Sequence, residues 1–91
     1  MNYKVFLARQ AQDDYDVLKR QGNASLLENA RSLLALIGKN PFDPYPPFKR
    51  LTGDLKGCYA RRLNRQHRLV YQVLEDQKAV KVLSMWTHYG D

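Results

Sequence analysis

Two arginines near the middle of the chain give the first indication of chemistry. If a hairpin turn centres on Arg65, then Arg62 and Arg68 lie nearly opposite each other on neighbouring strands, on the same face of a sheet. Like charges that face each other are destabilising unless an anion or an acid lies between them, and Asp54 is the only acid in residues 44–74. Because guanidinium groups match phosphate oxygens, the pair predicts a phosphate site. The alternative is an ordinary pair of surface arginines whose stems cover apolar area.

A second candidate lies near the C-terminal end, where His88 and Tyr89 adjoin. Histidine titrates near neutrality and serves as a general acid or base, while tyrosine donates a hydrogen bond or stacks on a nucleobase. Trp86 is expected to anchor the preceding strand by burial and so to hold the pair in place. The alternative is a frayed tail.

Two further side chains of reactive type are expected to be structural. His67 precedes Arg68 in a predicted strand, and because neighbouring strand residues alternate, the histidine points away from the arginine. Cys58 is the only cysteine, so it forms no internal disulfide, and we expect it to pack as a small residue on a strand.

The distribution of charge favours a polyanionic partner. The chain has 91 residues, with 15 Lys and Arg against 9 Asp and Glu, and a net charge of +6. The excess is concentrated in residues 44–74, where the basic residues are Lys49, Arg50, Lys56, Arg61, Arg62, Arg65 and Arg68. Nucleic acid is the usual partner of such a local excess, and a merely solvated basic face is the alternative.

Size and composition exclude several classes of protein. The length predicts one domain over residues 1–91. Two histidines and one cysteine are too few for a zinc pattern, and the sequence has no phosphate-binding glycine loop, so we expect no metal and no cofactor. No apolar run approaches the ~20 residues of a membrane span, and residues 1–10 lack the apolar core of a signal peptide. We therefore expect a soluble, cytoplasmic protein with no membrane partner.

The spacing of apolar residues predicts a strand followed by two helices. The strand is expected at residues 3–7. The first helix is predicted by apolar residues at helical spacing, and Gly22 with Asn23 ends it. The second helix is expected to begin with a capping box of Ser25 and Glu28 and to close at Gly38 in a left-handed cap.

The rest of the chain predicts a β-meander. Residues 40–50 contain four prolines and are expected to form an extended connector that is neither helix nor central strand. Strands are expected at residues 57–63, 67–74 and 79–86. Helices grouped before an antiparallel sheet predict an α+β fold, in which the first strand joins the sheet from the other end.

Several segments together resemble one family of proteins. The stretch at residues 51–71, LTGDLKGCYARRLNRQHRLVY, closely resembles the core of Txe/YoeB-type toxins in the RelE superfamily. The ending WTHY at residues 86–89 resembles the C-terminus of that family, and DDY at 13–15 and NPF at 40–42 are similar to family segments. The resemblance covers nearly the whole chain, and its elements are specific in combination.

The resemblance implies a compact domain like the microbial ribonucleases, with two helices packed on a mainly antiparallel sheet. It implies a metal-independent endoribonuclease that cuts messenger RNA in the ribosomal A site. It also implies a cognate antitoxin of the YefM/Axe kind, which wraps the toxin and represses their operon with it, so that operator DNA is bound only through this complex. Dimers occur in similar toxins, so a homodimer is a further expectation.

The resemblance also assigns roles to residues. Arg68 matches the principal phosphate-stabilising arginine, and Arg62 matches a second basic contact. His88 matches the acid that protonates the leaving oxygen, and Tyr89 matches a residue that places the substrate. Further contacts to RNA phosphates are expected from Arg61, Arg65 and Lys56.

Two departures from the family pattern bear on the chemistry. Family members commonly carry a glutamate base where Lys49 stands, and a lysine acts as a base only in its neutral form, which nearby arginines favour. Gly90 and Asp91 follow Tyr89, whereas in many relatives the tyrosine ends the chain. Two alternatives to a ribonuclease therefore stay open: a toxin-fold protein that binds RNA or ribosomes with weak or no cleavage, and a module that only pairs with an antitoxin and binds operator DNA.

Overall fold

The computed structural model describes residues 2–86, in which two helices pack on one face of a five-stranded sheet. The elements are β1 (Lys4–Leu7), α1 (Arg9–Gln21), α2 (Ala24–Lys39), β2 (Phe48–Arg50), β3 (Cys58–Arg62), β4 (Arg68–Leu74) and β5 (Ala79–Ser84), with 3₁₀ turns at Gly53–Leu55 and Glu75–Gln77. The strand order is β1-β5-β4-β3-β2; β1 runs parallel to β5, and the other neighbours are antiparallel. The α+β fold is confirmed, with the first strand at the far edge of the sheet.

Neither helix of this part of the chain is long and apolar enough to cross a membrane.

The break between the helices lies where expected, but the start of α2 does not have the predicted form. Gly22 ends α1 with a φ of 72°, a left-handed conformation that glycine adopts without strain. Asn23 caps α2, because its side chain accepts a hydrogen bond from the backbone N–H of Leu26 at 3.0 Å. The predicted capping box of Ser25 and Glu28 is therefore wrong. Asparagine caps as well as serine does, and here it lies two residues nearer to the break.

The predicted left-handed cap at Gly38 is also wrong. The helix continues one residue further, and Asn40 closes it with a backbone hydrogen bond. Gly38 instead permits the close passage of β1, because a Cβ at this position would lie 3.2 Å from Cγ2 of Val5. The Gly38 carbonyl also accepts a hydrogen bond from the N–H of Tyr3.

The proline-rich connector is shorter than expected. Its last three residues form β2, an edge strand that pairs with β3 and brings the sheet to five strands instead of the expected four. All four prolines precede this strand, which agrees with the rule that residues without an N–H stay out of central strands. The last strand is also shorter than expected, because β5 stops at Ser84 and not at residue 86.

The core lies between the helices and the sheet. β4 contributes Leu69 and Tyr71, and β5 contributes Val80 and Val82, all fully buried. The helices contribute Ala11, Leu18, Leu26, Ala30, Leu33 and Ile37. His67 is 9% exposed and stacks on Trp86, with ring centroids 3.9 Å apart. The expectation of a structural histidine is confirmed.

A smaller apolar cluster lies on the other face of the sheet. Cys58, Ala60 and Val70 are buried there, and Leu51, Leu55 and Leu83 pack against them. Burial raises the pKa of the Cys58 thiol, which disfavours the reactive thiolate at neutral pH. The expected packing of this cysteine on a strand is confirmed.

We expect Cys58 to react slowly with thiol reagents because the folded protein both buries the sulfur and disfavours the thiolate. At neutral pH, labelling with Ellman's reagent should be slower than in concentrated guanidinium by at least about tenfold. Equal rates in the two conditions would contradict the packing described above.

A buried carboxylate joins α1 to the end of β5. Asp14 is 3% exposed, and its oxygens accept hydrogen bonds from Nε2 of Gln10 and from the backbone N–H of Met85, each at 2.9 Å. A buried carboxylate is costly unless it is hydrogen-bonded, so these contacts hold both the side chain and the Met85 backbone. The first helix thus sets the point at which the chain leaves the sheet.

Replacing this carboxylate should destabilise the fold. We expect Asp14→Ala to lower the free energy of unfolding by about 1–3 kcal/mol, because the buried Met85 N–H loses its acceptor. Urea denaturation measures the effect, and Asp13→Ala, the same change at the exposed neighbouring position, is the matched control. Equal losses in the two variants would show that the Asp14 contact contributes nothing.

Candidate functional site

The hairpin of β3 and β4 places Arg62 and Arg68 directly opposite each other. The two residues are register partners at the end of the antiparallel ladder, so their side chains leave the same face of the sheet. Arg62 is exposed and Arg68 is half-buried. The predicted geometry of the pair is confirmed, while its binding of phosphate remains a prediction.

The edge strand brings Lys49 to the same face. β2 runs antiparallel to β3 with Lys49 opposite Ala60, which lies two residues before Arg62. Residues two apart on a strand share a face, so lysine and arginines point to one side of the sheet. They border a groove of about 400 Å³ lined by Pro46, Pro47, Phe48, Lys49, Ala60, Arg62 and Arg68. The structure therefore unites three of the predicted site residues.

A small apolar floor separates the cationic walls of this groove. Ala60 pairs with Lys49 on one side and with Val70 on the other, and both apolar residues are at most 4% exposed. A larger side chain at position 60 would occupy the space between lysine and arginines. Small residues on the floor thus leave room for a group the size of a phosphate.

Two of the predicted phosphate contacts lie outside this groove. Lys56 is exposed after the 3₁₀ turn and lines a separate depression on the β2–β3 side, together with Arg50. Arg65 is exposed in the hairpin loop between the two facing arginines. The structure does not bring these side chains into the groove, and their contacts to RNA stay predictions.

Arg61 is different, because its burial contradicts the predicted contact with RNA phosphates. The residue is 1% exposed and points to the helix side of the sheet. Its Nη2 donates to the carbonyls of Pro41 at 3.0 Å and Asp43 at 2.8 Å, and its Nη1 donates to the carbonyl of Pro46. Its Nε donates to the Tyr71 hydroxyl at 3.0 Å. The guanidinium holds the connector and is not available to an outside ligand.

The Tyr71 hydroxyl completes this network. It accepts from Arg61 and donates to the carbonyl of Pro41 at 2.7 Å. Burial raises the pKa of Tyr71, and the neighbouring guanidinium opposes this shift only in part. The hydroxyl therefore stays protonated at neutral pH and remains a donor to the connector.

Aromatic rings surround the buried guanidinium. Its Cζ lies 5.0 Å from the ring centroid of Phe48. Phe42, Phe48 and Tyr59 contact one another in tilted or edge-to-face pairs, with centroids 5.5–6.3 Å apart. Because Phe48 begins β2, this cluster fixes the strand that carries Lys49.

The terminal candidates, His88 and Tyr89, lie outside the described residues. The two residues at the end of the described chain are both held: Met85 donates its N–H to Asp14, and Trp86 stacks on His67. Residues 2–86 bring together no group of three or more His, Cys, Asp or Glu side chains of the kind that holds a metal ion.

The buried guanidinium gives a test of how the connector is held. We expect Arg61→Lys to lower the free energy of unfolding by at least about 2 kcal/mol, because an ammonium keeps the charge but not the fork that binds three carbonyls. Arg62→Lys, at the exposed neighbouring position, should change stability little. Urea denaturation compares the two, and limited proteolysis should cut residues 41–46 faster only in the Arg61 variant. Similar stabilities for both variants would contradict the role given to Arg61.

Comparison with known proteins places this arrangement in a family. The family described as "YoeB-like toxin of bacterial type II toxin-antitoxin system" matches residues 7–89. Toxin YoeB of Synechocystis sp. is 31% identical over 70 residues, which cover 77% of this chain and 79% of the relative. The matched family range includes both facing arginines and Lys49.

Solved structures of similar proteins have the same fold. The YoeB/ParE toxin from Agrobacterium tumefaciens has a TM-score of 0.85 and 28% identity, with 94% of this chain and 99% of that chain covered. The YoeB–YefM complex from Staphylococcus aureus has a TM-score of 0.80 and 30% identity, with coverages of 98% and 100%. The YoeB dimer from the same organism has a TM-score of 0.79, 30% identity and the same coverages. With the family matched over residues 7–89 and the fold shared along the chain, this protein belongs to the YoeB-like toxins of bacterial type II toxin–antitoxin systems.

Proposed function

We propose that this toxin is a metal-independent endoribonuclease that cuts messenger RNA in the ribosomal A site. The observation that carries the proposal is the facing pair of Arg62 and Arg68 on a groove that Lys49 also lines. Three cationic side chains around a small apolar floor form a site that suits one phosphodiester. The membership of the chain in a toxin family supports the same reading.

The reaction uses the RNA's own 2′-hydroxyl as the nucleophile. A base removes the proton of this hydroxyl, its oxygen bonds to the adjacent phosphorus, and the bond from phosphorus to the 5′-oxygen breaks. An acid protonates the departing oxygen, and the products are a cyclic phosphate and a 5′-hydroxyl. Negative charge grows on the non-bridging oxygens in the transition state, so preorganised cations lower the barrier.

The groove supplies cations for this step. Arg68 is proposed as the principal stabiliser of the phosphorane-like transition state and Arg62 as its partner, because guanidinium forks bind two oxygens at once. His88 is proposed as the acid and Tyr89 as a substrate-placing residue; both assignments rest on the family resemblance. Arg65 and Lys56 are proposed to contact phosphates further along the RNA.

Lys49 is proposed as the base, since it borders the groove beside the arginines. A lysine removes a proton only in its neutral form. The alternative is a toxin that binds RNA or the ribosome with little cleavage, because a lysine stands where the family commonly has a glutamate.

A protein antitoxin is proposed as the partner. The similar Staphylococcus aureus toxin is described in complex with YefM and also as a dimer. We propose that an antitoxin of this kind binds the present toxin, that the complex binds operator DNA through the antitoxin, and that the toxin also self-associates. Action on messenger RNA at the ribosome places the proposed function in the cytoplasm.

Mapping of messenger RNA 5′ ends on purified translating ribosomes tests the proposal. We expect new ends in the A site with the wild type, and a rate lower by at least about 100-fold with Arg68→Ala, because one preorganised donor to the transition state is lost. Arg20→Ala, an exposed arginine on α1, removes the same charge away from the groove and should leave the rate unchanged.

The Lys49→Ala variant tests whether Lys49 acts as the base or only contributes a positive charge to the groove. Loss of a base should slow cleavage by about 10²–10⁴-fold and change the pH dependence of the rate. Arg50→Ala, the neighbouring position outside the groove, is the matched control. Wild-type toxin that binds ribosomes but leaves the RNA intact would overturn the ribonuclease proposal in favour of the binding-only alternative.

A further inference from the structure

A second groove adjoins the cationic groove. Its volume is about 420 Å³, and it runs between α2 and the connector. Pro46 and Arg62 line both grooves, so the two grooves adjoin at these side chains. The proposed chemistry uses the first groove and leaves the second without a role.

Tyr45 is the notable side chain of this second groove. It is 78% exposed, whereas the next large hydrophobic side chains in residues 2–86, Phe6 and Phe42, are 39% and 37% exposed. An aromatic ring that is exposed to water adds no burial energy to the stability of the fold, and it is open to a planar ligand. Exposed tyrosines beside basic residues are typical of sites that stack nucleobases.

The backbone that presents Tyr45 is fixed before any ligand arrives. The Tyr45 N–H donates to Oδ1 of Asp43 at 3.0 Å, which closes a tight turn. The carbonyls of Asp43 and Pro46, on either side of Tyr45, both accept hydrogen bonds from the buried Arg61. A ligand therefore meets a ring on a preorganised segment and does not have to order a loose one.

The opposite wall of the groove carries groups suited to the edge of a base. Asn29 and Ser32 are exposed on α2 and line the groove. Asn29 donates through Nδ2 to the carbonyl of Leu63, which fixes the amide, and its side-chain oxygen is not used in that bond. A fixed amide and a hydroxyl offer hydrogen bonds to the Watson–Crick edge of an unpaired base.

We infer that this second groove receives the nucleobase next to the phosphate held by Arg62 and Arg68, with the Tyr45 ring stacked on the base. The inference rests on the proposed RNA-cleaving function, and it adds the residue that holds the base. RNA is favoured over a protein ligand because the charged residues that line the two grooves are Lys49, Arg62 and Arg68, and none of the lining residues is acidic.

The test is a double-mutant cycle between protein and RNA. The probe is a short single-stranded 2′-O-methyl RNA, which lacks the nucleophile, with an abasic nucleotide placed at each position in turn. We expect Tyr45→Ala to weaken binding of the intact RNA by about 5- to 100-fold. At one position only, the abasic RNA should bind the wild type and Tyr45→Ala equally, because the stacking partner is already gone.

Control variants separate stacking from a change in the fold. Tyr45→Phe keeps the ring and should bind like the wild type, and Phe6→Ala, which removes an exposed aromatic ring from β1, should also bind like the wild type. The urea midpoint of Tyr45→Ala should be unchanged, since the side chain is mostly in water.

Several outcomes would overturn the inference. The first is a loss of RNA affinity on Tyr45→Ala that is the same for every abasic position. The second is a Tyr45→Ala variant that binds RNA with wild-type affinity but no longer binds the antitoxin. The third is a wild type that binds no RNA. Failure of the ribonuclease proposal looks different, because cleavage of unmodified messenger RNA would then be absent while the coupling in the binding cycle persists.

Discussion

A single buried guanidinium holds the proline-rich connector against the sheet, and the position of both grooves depends on it. Carbonyls in an irregular segment need donors when they are buried, and prolines in that segment supply none of their own. Arg61 provides donors to three of these carbonyls, and the carbonyls in turn compensate the guanidinium for its loss of water. Once the connector is fixed in this way, Phe48 packs on the same side chain and Lys49 falls opposite Ala60.

Adjacent residues on one strand thereby serve opposite purposes. Strand alternation sends Arg61 into the protein and Arg62 into the groove, although the two side chains are identical. Arg62 and Arg68 face each other at the end of the ladder between β3 and β4, which places two guanidinium groups on one face of the sheet. A site that is charged in advance requires no reorganisation when an anion arrives.

Much of this arrangement is readable from the sequence, because local rules determine it. The hairpin register that pairs Arg62 with Arg68 follows from the turn. The alternation of side chains along a strand also predicts that Arg61 points into the protein, but a charged residue is usually expected at the surface. The edge strand β2 was not predictable in this way. Its three residues pair with a distant strand and follow two prolines, so neither periodicity nor propensity identifies them. The role of Gly38 depends likewise on how close Val5 passes, which is a property of the packed fold.

The short edge strand also limits how another chain meets this toxin. β2 has three residues, Pro46 and Pro47 precede it without N–H groups, and Lys49 and Arg50 carry charge along it. An approaching strand would find few backbone partners at this border, so the sheet is poorly suited to growth by strand addition beside the groove. Contacts at this border therefore depend on side chains more than on a ladder of backbone hydrogen bonds.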